Sequence, residues 1–301
     1  MSNANQFSPP FPKVLRLEPA SSCNFHCIHC PTGLNLNSSL GIMSEQTFSQ
    51  IYEQIKKFRF RMIVLYHGGE PFLNKNFFKI VKKLKPITEK IKTVTNGSFI
   101  TDSLIDQILE SELDIIEISL DGSSPEENNF IRVGSDYEQI TSQIKKLTKI
   151  RNQKNLKKPE IFISNAQIPK NIKQTDEIKV PSNLIETFDE IKDDIKFKEV
   201  YTFTWPGISK KMDSIKPERN SCDHIINTFT IRWNGDVVPC CYDLVNMMVM
   251  GNVLKETIED IWSNSKFVKL RKDINEFNPP NLCKNCNVLY PTHTTSNTYL
   301  G

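Results

Sequence analysis

The stretch VLRLEPASSCNFHCIHC, residues 14–30, joins an apolar pattern to three closely spaced cysteines. Its first six residues are mostly apolar and reach a proline, which is typical of a short buried β-strand. Cys23, Cys27 and Cys30 then follow within one short loop. An iron–sulfur cube normally takes four thiolates, and a structural zinc site also takes four ligands. Three cysteines therefore predict a metal centre with one coordination position left open.

Strand patterns and helix patterns alternate along the next two-thirds of the chain. Further strands are predicted at RMIVLY (61–66), IKTVT (91–95), DIIEISL (114–120), EIFISN (160–165) and EVYTFT (199–204). Apolar residues at helical spacing predict helices from a Ser44 cap to Phe58, over 74–85, around 104–109, around 137–147 and over 182–194. Six such units predict a parallel sheet, either a partial (β/α)6 barrel or an open doubly wound sheet. After residue 222 this alternation stops: FTIRWNGDVVPCCYD (229–243) predicts a hairpin with Asn234-Gly235 as its turn, and KETIEDIWSNSKFVKLRKDI predicts a helix over 255–274.

Short polar and glycine-containing motifs follow these strands. They are HGGEP (67–71), TNG (95–97), SLDG (119–122) and SNAQ (164–167). Each glycine alone could mark an ordinary turn. Because the carboxyl ends of parallel strands meet at one edge of the sheet, the series predicts a shared site around the three cysteines.

The C-x3-C-x2-C motif, followed by GGEP, TNG and SLDG, resembles the radical S-adenosylmethionine (SAM) superfamily. The resemblance covers residues 14–205 and implies a partial (β/α)6 TIM-like barrel. It also implies a catalytic [4Fe–4S] cluster on Cys23, Cys27 and Cys30, with the amine and carboxylate of SAM on the fourth iron. Reductive cleavage of SAM would then yield a 5′-deoxyadenosyl radical.

The same resemblance implies a set of SAM contacts at the strand ends. Gly68, Gly69 and Glu70 would meet the methionyl amine, and Ser119 and Asp121 would meet the ribose or the carboxylate. Arg132 would pair with the carboxylate, since a guanidinium donates two parallel hydrogen bonds, and Asn96 would line the same pocket. An exposed loop position is the alternative for Arg132.

A second cysteine set lies after residue 220: Cys222, Cys240, Cys283 and Cys286, with Cys241 as a surplus thiol. Spacing alone fits zinc as well as iron–sulfur. The pattern Cys222-x12-Gly235-x4-Cys240 with the closing C-x2-C resembles the SPASM domain of radical SAM enzymes. No cysteine follows Cys286, so the resemblance implies the shortened twitch form with one auxiliary [4Fe–4S] cluster. Neighbouring residues on a strand face opposite sides, so Cys240 and Cys241 should not both face one cluster. Cys240 is favoured as the ligand because it completes the Gly-x4-Cys spacing.

Composition excludes several classes of protein. The 38 basic and 35 acidic residues are spread along the chain and leave a net charge of +3, which argues against a dedicated nucleic-acid binder. No stretch predicts a secretory signal or a membrane span. Metal thiolates in a reducing cytoplasm fit the eight cysteines better than disulfides.

We expect an N-terminal extension (1–13), a radical SAM core (14–210) and a twitch domain (211–301). The expected activity is oxidation of a sugar-like or aminocyclitol-like metabolite, with the auxiliary cluster accepting an electron and a flavodoxin or ferredoxin supplying one. The short extension before the first strand favours a metabolite over a peptide. Epimerisation or cross-linking of a ribosomal peptide is the alternative, and a non-catalytic metal-binding scaffold is a distant one.

Overall fold

The architecture comes from a computed structural model that describes residues 7–37, 39–167, 179–201, 217–284, 286 and 288–289. Strands in this part of the chain are β1 Val14–Leu17, β2 Phe60–Leu65, β3 Thr88–Thr95, β4 Ile115–Ser119, β5 Glu160–Gln167, β6 Lys196–Tyr201, β7 Thr228–Ile231, β8 Asp236–Val238 and β9 Gly251–Asn252. Helices are α1 Glu45–Ile55, α2 Phe77–Leu84, α3 Asp102–Glu110, α4 Pro125–Ile131, α5 Tyr137–Gln153, α6 Ser182–Thr187, α7 His224–Asn227, α8 Ile258–Ser263 and α9 Ser265–Asn275.

Side-chain caps fix where the helices of the first two-thirds begin. Ser44 accepts a hydrogen bond from the Thr47 amide at the start of α1, as its sequence position predicts. Thr101 and Asp136 act in the same way for α3 and α5. Each cap satisfies an amide that the first helical turn leaves without a partner, so the helix start is specified locally.

Strands β1 to β6 are parallel and lie in sequential order across the sheet. This order has no switch point, so it is that of a partial (β/α)6 barrel and not of a doubly wound sheet. Leu15 lies opposite Ile63, and Leu17 lies opposite Leu65. All four side chains are buried in the core beneath the helices. The α/β fold with a mainly parallel sheet confirms the predicted class.

The C-terminal hairpin extends this sheet. Strand β7 pairs in parallel with β1, and β8 and β9 continue the sheet in antiparallel fashion, giving nine strands in the described residues. The predicted Asn234-Gly235 turn is confirmed: Gly235 has a φ of +85°, a backbone conformation that favours glycine. The two cysteine-bearing regions are therefore joined through β1 and β7. The predicted boundary at residues 210 and 211 lies outside the described residues.

Several predicted boundaries are corrected. The helix expected over 255–274 is two helices, because Asn264 ends α8 and its side chain caps α9 through the Phe267 amide. The helix expected over 182–194 stops at Thr187 and continues as a 3₁₀ turn. Strand β6 begins three residues early, and 202–204 lie beyond the described part. Helix α4 was not predicted, because its seven residues bury only Asn128 and Ile131 and so show no apolar pattern at helical spacing.

The described helices include none with the length and apolar character needed to cross a bilayer.

Candidate active site with two cysteine sets

The first cysteine set occupies the loop that leaves β1. Its backbone is held by the end of α4 and the residues that follow: the His26 amide donates to the Val133 carbonyl at 2.8 Å, and the Ile28 amide donates to the Ile131 carbonyl at 3.0 Å. Within the loop, Cys30 donates to the Cys27 carbonyl at 3.1 Å. Main-chain bonds from a distant segment therefore shape the cysteine loop.

Close packing joins this loop to the GGEP motif. The Thr32 hydroxyl donates to the Gly68 carbonyl at 2.7 Å, and Glu70 donates its amide to the Ser22 carbonyl at 2.9 Å. A Cβ on Gly69 would lie 2.3 Å from the Ser22 carbonyl oxygen, which no side chain tolerates. The backbone of the cysteine loop and the end of β2 consequently touch, and only glycine fits at position 69.

The donor set fits an iron–sulfur cluster in its chemistry. Burial raises the pKa of Cys23, and it raises the pKa of Cys27 to about 12 although nearby Arg132 lowers it. Among the described residues, no three Cys, His, Asp or Glu side chains could hold a single metal ion. A cube takes each thiolate on a different iron, so its ligand sulfurs need not meet at one point. Binding would require the loss of the thiol protons.

Glu70 lies at the centre of a buried hydrogen-bond group. Its carboxylate accepts bonds from the Phe72 amide (3.1 Å), the Thr95 hydroxyl (2.8 Å) and the Asn96 amide (2.8 Å). Burial raises the Glu70 pKa to about 7, although those hydrogen bonds act in the opposite direction. The side chain thus ties the end of β2 to the end of β3. Its predicted contact with the SAM amine stays a prediction.

Asn96 lies beside the cysteine loop, and its predicted place in the SAM pocket stays a prediction. Its amide nitrogen is 2.9 Å from the Asn24 side-chain oxygen and 3.8 Å from the Cys23 sulfur. Its oxygen accepts two bonds from Ser98. The TNG turn therefore orients the loop that carries Cys23.

Asp121 and Arg132 form a buried ion pair, with Arg132 Nε 2.7 Å from Asp121 Oδ2. The other Asp121 oxygen accepts the Ala166 amide at 2.7 Å. Burial would lower the Arg132 pKa, but Asp121 and the Cys27 thiol raise it above its usual value. Arg132 is therefore no exposed loop residue. Ser119, which is 3.3 Å from Ser164 through the hydroxyls, lies at the same sheet edge.

The second set is assembled from three separate segments. Cys222 precedes α7, Cys240 follows β8, and Cys283 and Cys286 flank the turn after α9. Burial and the four neighbouring thiols raise the pKa of Cys240, whose neighbours are Cys241, Cys283, Cys286 and Cys222. Burial also raises the pKa of Cys286 to about 12. The fold thus brings all five late cysteines together.

The expectation that strand alternation separates Cys240 from Cys241 is wrong, whereas the preference for Cys240 from the Gly-x4-Cys spacing stays a prediction. Strand β8 ends at Val238, so the two cysteines lie in a turn and strand alternation does not separate them. Cys240 is buried and Cys241 is half-buried. Both lie within electrostatic reach of the other late cysteines, because Cys241 acts on Cys286 and Cys286 acts on Cys240.

A buried cluster around Glu18 was missed by sequence reasoning. One Glu18 oxygen accepts the Gly68 amide at 3.0 Å and lies 3.2 Å from His67 Nδ1. The other oxygen accepts Arg232 Nε at 3.1 Å and the Trp233 amide at 3.2 Å. Glu18 therefore joins the GGEP motif to the C-terminal hairpin. An acidic residue at the end of a mostly apolar strand was the available signal.

Comparison with known proteins finds a matching family for each of the two cysteine-bearing regions. Residues 17–155 match the radical SAM superfamily, and residues 222–287 match the SPASM family, described as an iron–sulfur cluster-binding domain. The chain belongs to the radical SAM superfamily. It is a radical SAM enzyme, and its two domains imply a [4Fe–4S] cluster with SAM and an auxiliary iron–sulfur cluster.

Two curated relatives and one solved structure are similar over most of this chain. The tungsten-containing aldehyde ferredoxin oxidoreductase cofactor-modifying protein of Pyrococcus furiosus is 27% identical, covering 92% of this chain and 87% of that protein. The SAM-dependent 2-deoxy-scyllo-inosamine dehydrogenase of Niallia circulans is 25% identical, covering 91% and 92%. SuiB of Streptococcus suis, bound to the precursor peptide SuiA, shares the fold with a TM-score of 0.66 at 13% identity, covering 88% and 68%.

Proposed function

We propose that this radical SAM enzyme is a dehydrogenase that oxidises a ring alcohol of a small polar metabolite. The observation that carries the proposal is the similarity to the SAM-dependent 2-deoxy-scyllo-inosamine dehydrogenase, which covers 91% of this chain and 92% of that protein. The fold is consistent with two cooperating centres, because β1, which leads into the first cysteine set, pairs directly with β7 of the hairpin that leads to Cys240 and Cys241.

We assign Cys23, Cys27 and Cys30 as the ligands of the first cluster, and Cys222, Cys240, Cys283 and Cys286 as those of one auxiliary cluster. When bound, these groups and SAM supply hydrogen-atom abstraction from the carbinol carbon and an acceptor for the remaining electron. The hydroxyl proton leaves to water, so the alcohol loses two electrons and two protons in all. A flavodoxin or ferredoxin would supply the electron that cleaves SAM.

The chain's own residues would bind and orient SAM. Arg132, fixed by Asp121, would face the SAM carboxylate, while the Gly68–Gly69 backbone would meet the amine. Ser119 and Asn96 would line the same edge. Because Gly69 and Glu70 contact the cysteine loop through main-chain atoms, the SAM site and the cluster site would be built as one rigid unit.

The test is an anaerobic assay with SAM, a chemical reductant and ring alcohols that carry deuterium at the carbinol carbon. The proposal expects deuterium in 5′-deoxyadenosine and one ketone for each 5′-deoxyadenosine formed. If deuterium is transferred but the product is an alcohol of inverted configuration, the reaction is epimerisation and not dehydrogenation. Activity confined to peptides would favour the alternative, modification of a ribosomal peptide, which the shared fold of peptide-bound SuiB suggests.

A further inference from the structure

The inner face of the half-barrel carries an unusual concentration of charge. Alternate strand residues such as Leu15, Leu17 and Ile116 pack into the core under the helices. The intervening residues point to the opposite face. Four of these are charged and largely buried, and we name them the inner charged cluster: Arg16, Lys92, Glu117 and Lys198.

One carboxylate serves two ammonium groups in this cluster. Lys92 Nζ is 2.5 Å from Glu117 Oε2, and Lys198 Nζ is 3.1 Å from the same oxygen. Arg16 lies within electrostatic reach of Lys92. The cluster therefore gathers one guanidinium and two ammonium groups around one carboxylate. Its cationic groups would attract an anionic ligand and repel a cationic one.

Two polar atoms next to the cluster lack partners within the described part of the chain. Arg16 Nε and Thr230 Oγ are buried and make no hydrogen bond there. Arg16 and Thr230 lie directly opposite each other on β1 and β7, so their side chains share a face. The Arg16 side chain is 92% buried, with 8% exposed. A buried donor without an acceptor indicates a position where a ligand atom can bind.

Arg16 lies on the strand pair that joins the two cysteine-bearing regions, opposite Thr230 of β7 and beside Tyr66 at the end of β2. Arg16 donates from Nη1 to the Tyr66 carbonyl at 3.2 Å, and its guanidinium is 5.8 Å from the Tyr66 ring centre. The Tyr66 hydroxyl is within electrostatic reach of Arg16, Glu117, Cys30 and Cys241. A substrate group held by Arg16 would therefore place the rest of the molecule near both centres.

We propose that the inner charged cluster binds an anionic group of the substrate, either a phosphate or a carboxylate. This inference rests on the proposed dehydrogenase function and specifies its substrate class. It separates this enzyme from the relative named for an inosamine, since an amine-bearing ring would be repelled by the buried Arg16 guanidinium. Arg16 would donate two parallel bonds to the anion, and Lys198 would supply further charge.

The test uses the anaerobically purified enzyme with both clusters and SAM bound, and measures binding by titration calorimetry. The probes are myo-inositol, an inositol monophosphate, an aminodeoxyinositol, glucose and glucuronate. We expect the phosphate or the carboxylate to bind at least about tenfold more tightly than its neutral counterpart, and the amine to bind most weakly. The comparison of inositol monophosphate with glucuronate identifies which anion is preferred.

Two variants, one that removes a positive charge and one that removes a negative charge, distinguish anion binding from a general loss of structure. Arg16→Gln should weaken anion binding at least about tenfold, whereas Glu117→Gln, which removes the only negative charge of the cluster, should strengthen it. Lys79→Gln makes the same charge change on exposed α2, where Lys79 pairs with Glu45, and should leave anion affinity unchanged. SAM affinity is measured in parallel for every variant.

Four results would overturn the inference. They are equal affinity for charged and neutral rings, preference for the amine, no measurable binding of either anion, or an Arg16→Gln variant that loses SAM affinity to the same degree as anion affinity. The last result would assign Arg16 to the SAM site. Anion-selective binding without any ketone product would instead contradict the proposed dehydrogenase and leave the anion site standing.

Discussion

The two cysteine sets are built in contrasting ways. Cys23, Cys27 and Cys30 belong to one loop, while Cys222, Cys240, Cys283 and Cys286 come from three segments separated by helices and strands. The first loop is clamped by main-chain bonds to residues 131–133 and by the close approach of Gly69. The second set depends on the packing of the whole C-terminal region. Cluster binding should therefore couple to folding much more strongly in the second set than in the first.

The largest effect is expected from the first set. Changing Cys23, Cys27 and Cys30 together to Ala should abolish SAM cleavage and reduce iron from about eight to about four atoms per chain, since each cube holds four. Iron and sulfide analysis of the purified variant checks this. A variant that contains no iron, or that holds zinc in the second set, would contradict the separation of the two sites.

The contact between the cysteine loop and GGEP can be broken at Gly69. Gly69→Ala would place its Cβ 2.3 Å from the Ser22 carbonyl oxygen and 2.5 Å from the Ser21 carbonyl carbon, so the backbone must shift. We expect SAM affinity to fall by about a hundredfold or more, on the scale of a displaced binding backbone. Gly68→Ala is the matched control, because its nearest neighbour is Glu18 Oε1 at 3.1 Å. Equal SAM affinities in the two variants would show that the contact between Gly69 and the cysteine loop does not affect SAM binding.

Glu18 connects the two regions, and its effect depends on pH. Burial alone would raise the Glu18 pKa, but His67 and Arg232 outweigh burial and lower it to about 2 from an ordinary value of 4.5. The carboxylate therefore contributes stability that is present above pH 4.5 and is lost as the pH falls towards 2. A shift of this size corresponds to about 3 kcal/mol.

Denaturant unfolding of Glu18→Gln and wild type at several pH values measures this contribution. The variant should be less stable at pH 7 by about 3 kcal/mol, and the difference should narrow below pH 4.5. Glu45→Gln, an exposed carboxylate paired with Lys79, is the control and should change little. A constant difference across the pH range would mean that Glu18 acts through packing.

A smaller effect is expected at Arg132. Arg132→Lys keeps the charge beside Asp121 but removes the planar pair of donors, so SAM affinity should fall by about 1.5–3 kcal/mol. Iron content should remain close to normal, because the cysteine loop is held by the main chain of Val133 and Ile131. Unchanged SAM affinity, measured by equilibrium dialysis, would remove Arg132 from the SAM site.

Local features of this molecule were predictable and distant contacts were not. The strands, the Ser44 cap, the Asn234-Gly235 turn and the spacing of the first cysteines are specified within a few residues. The parallel pairing of β7 with β1, and the Glu18–Arg232 contact, join positions far apart in sequence and have no local signal. Asp121 and Arg132 were each predicted from the sequence as SAM contacts. Their contact with each other was not predicted, because it depends on helix α4, which has no clear sequence signal.

The central claim is that the two cysteine sets do different work, the first in SAM cleavage and the second in accepting the substrate electron. It is tested most directly by the ratio of ketone to 5′-deoxyadenosine in Cys283→Ala with Cys286→Ala. The purified variant must be soluble and hold SAM and about four irons. We expect deuterium still to enter 5′-deoxyadenosine while ketone formation vanishes. A variant that meets those conditions and still makes one ketone per 5′-deoxyadenosine at the wild-type rate would contradict the claim.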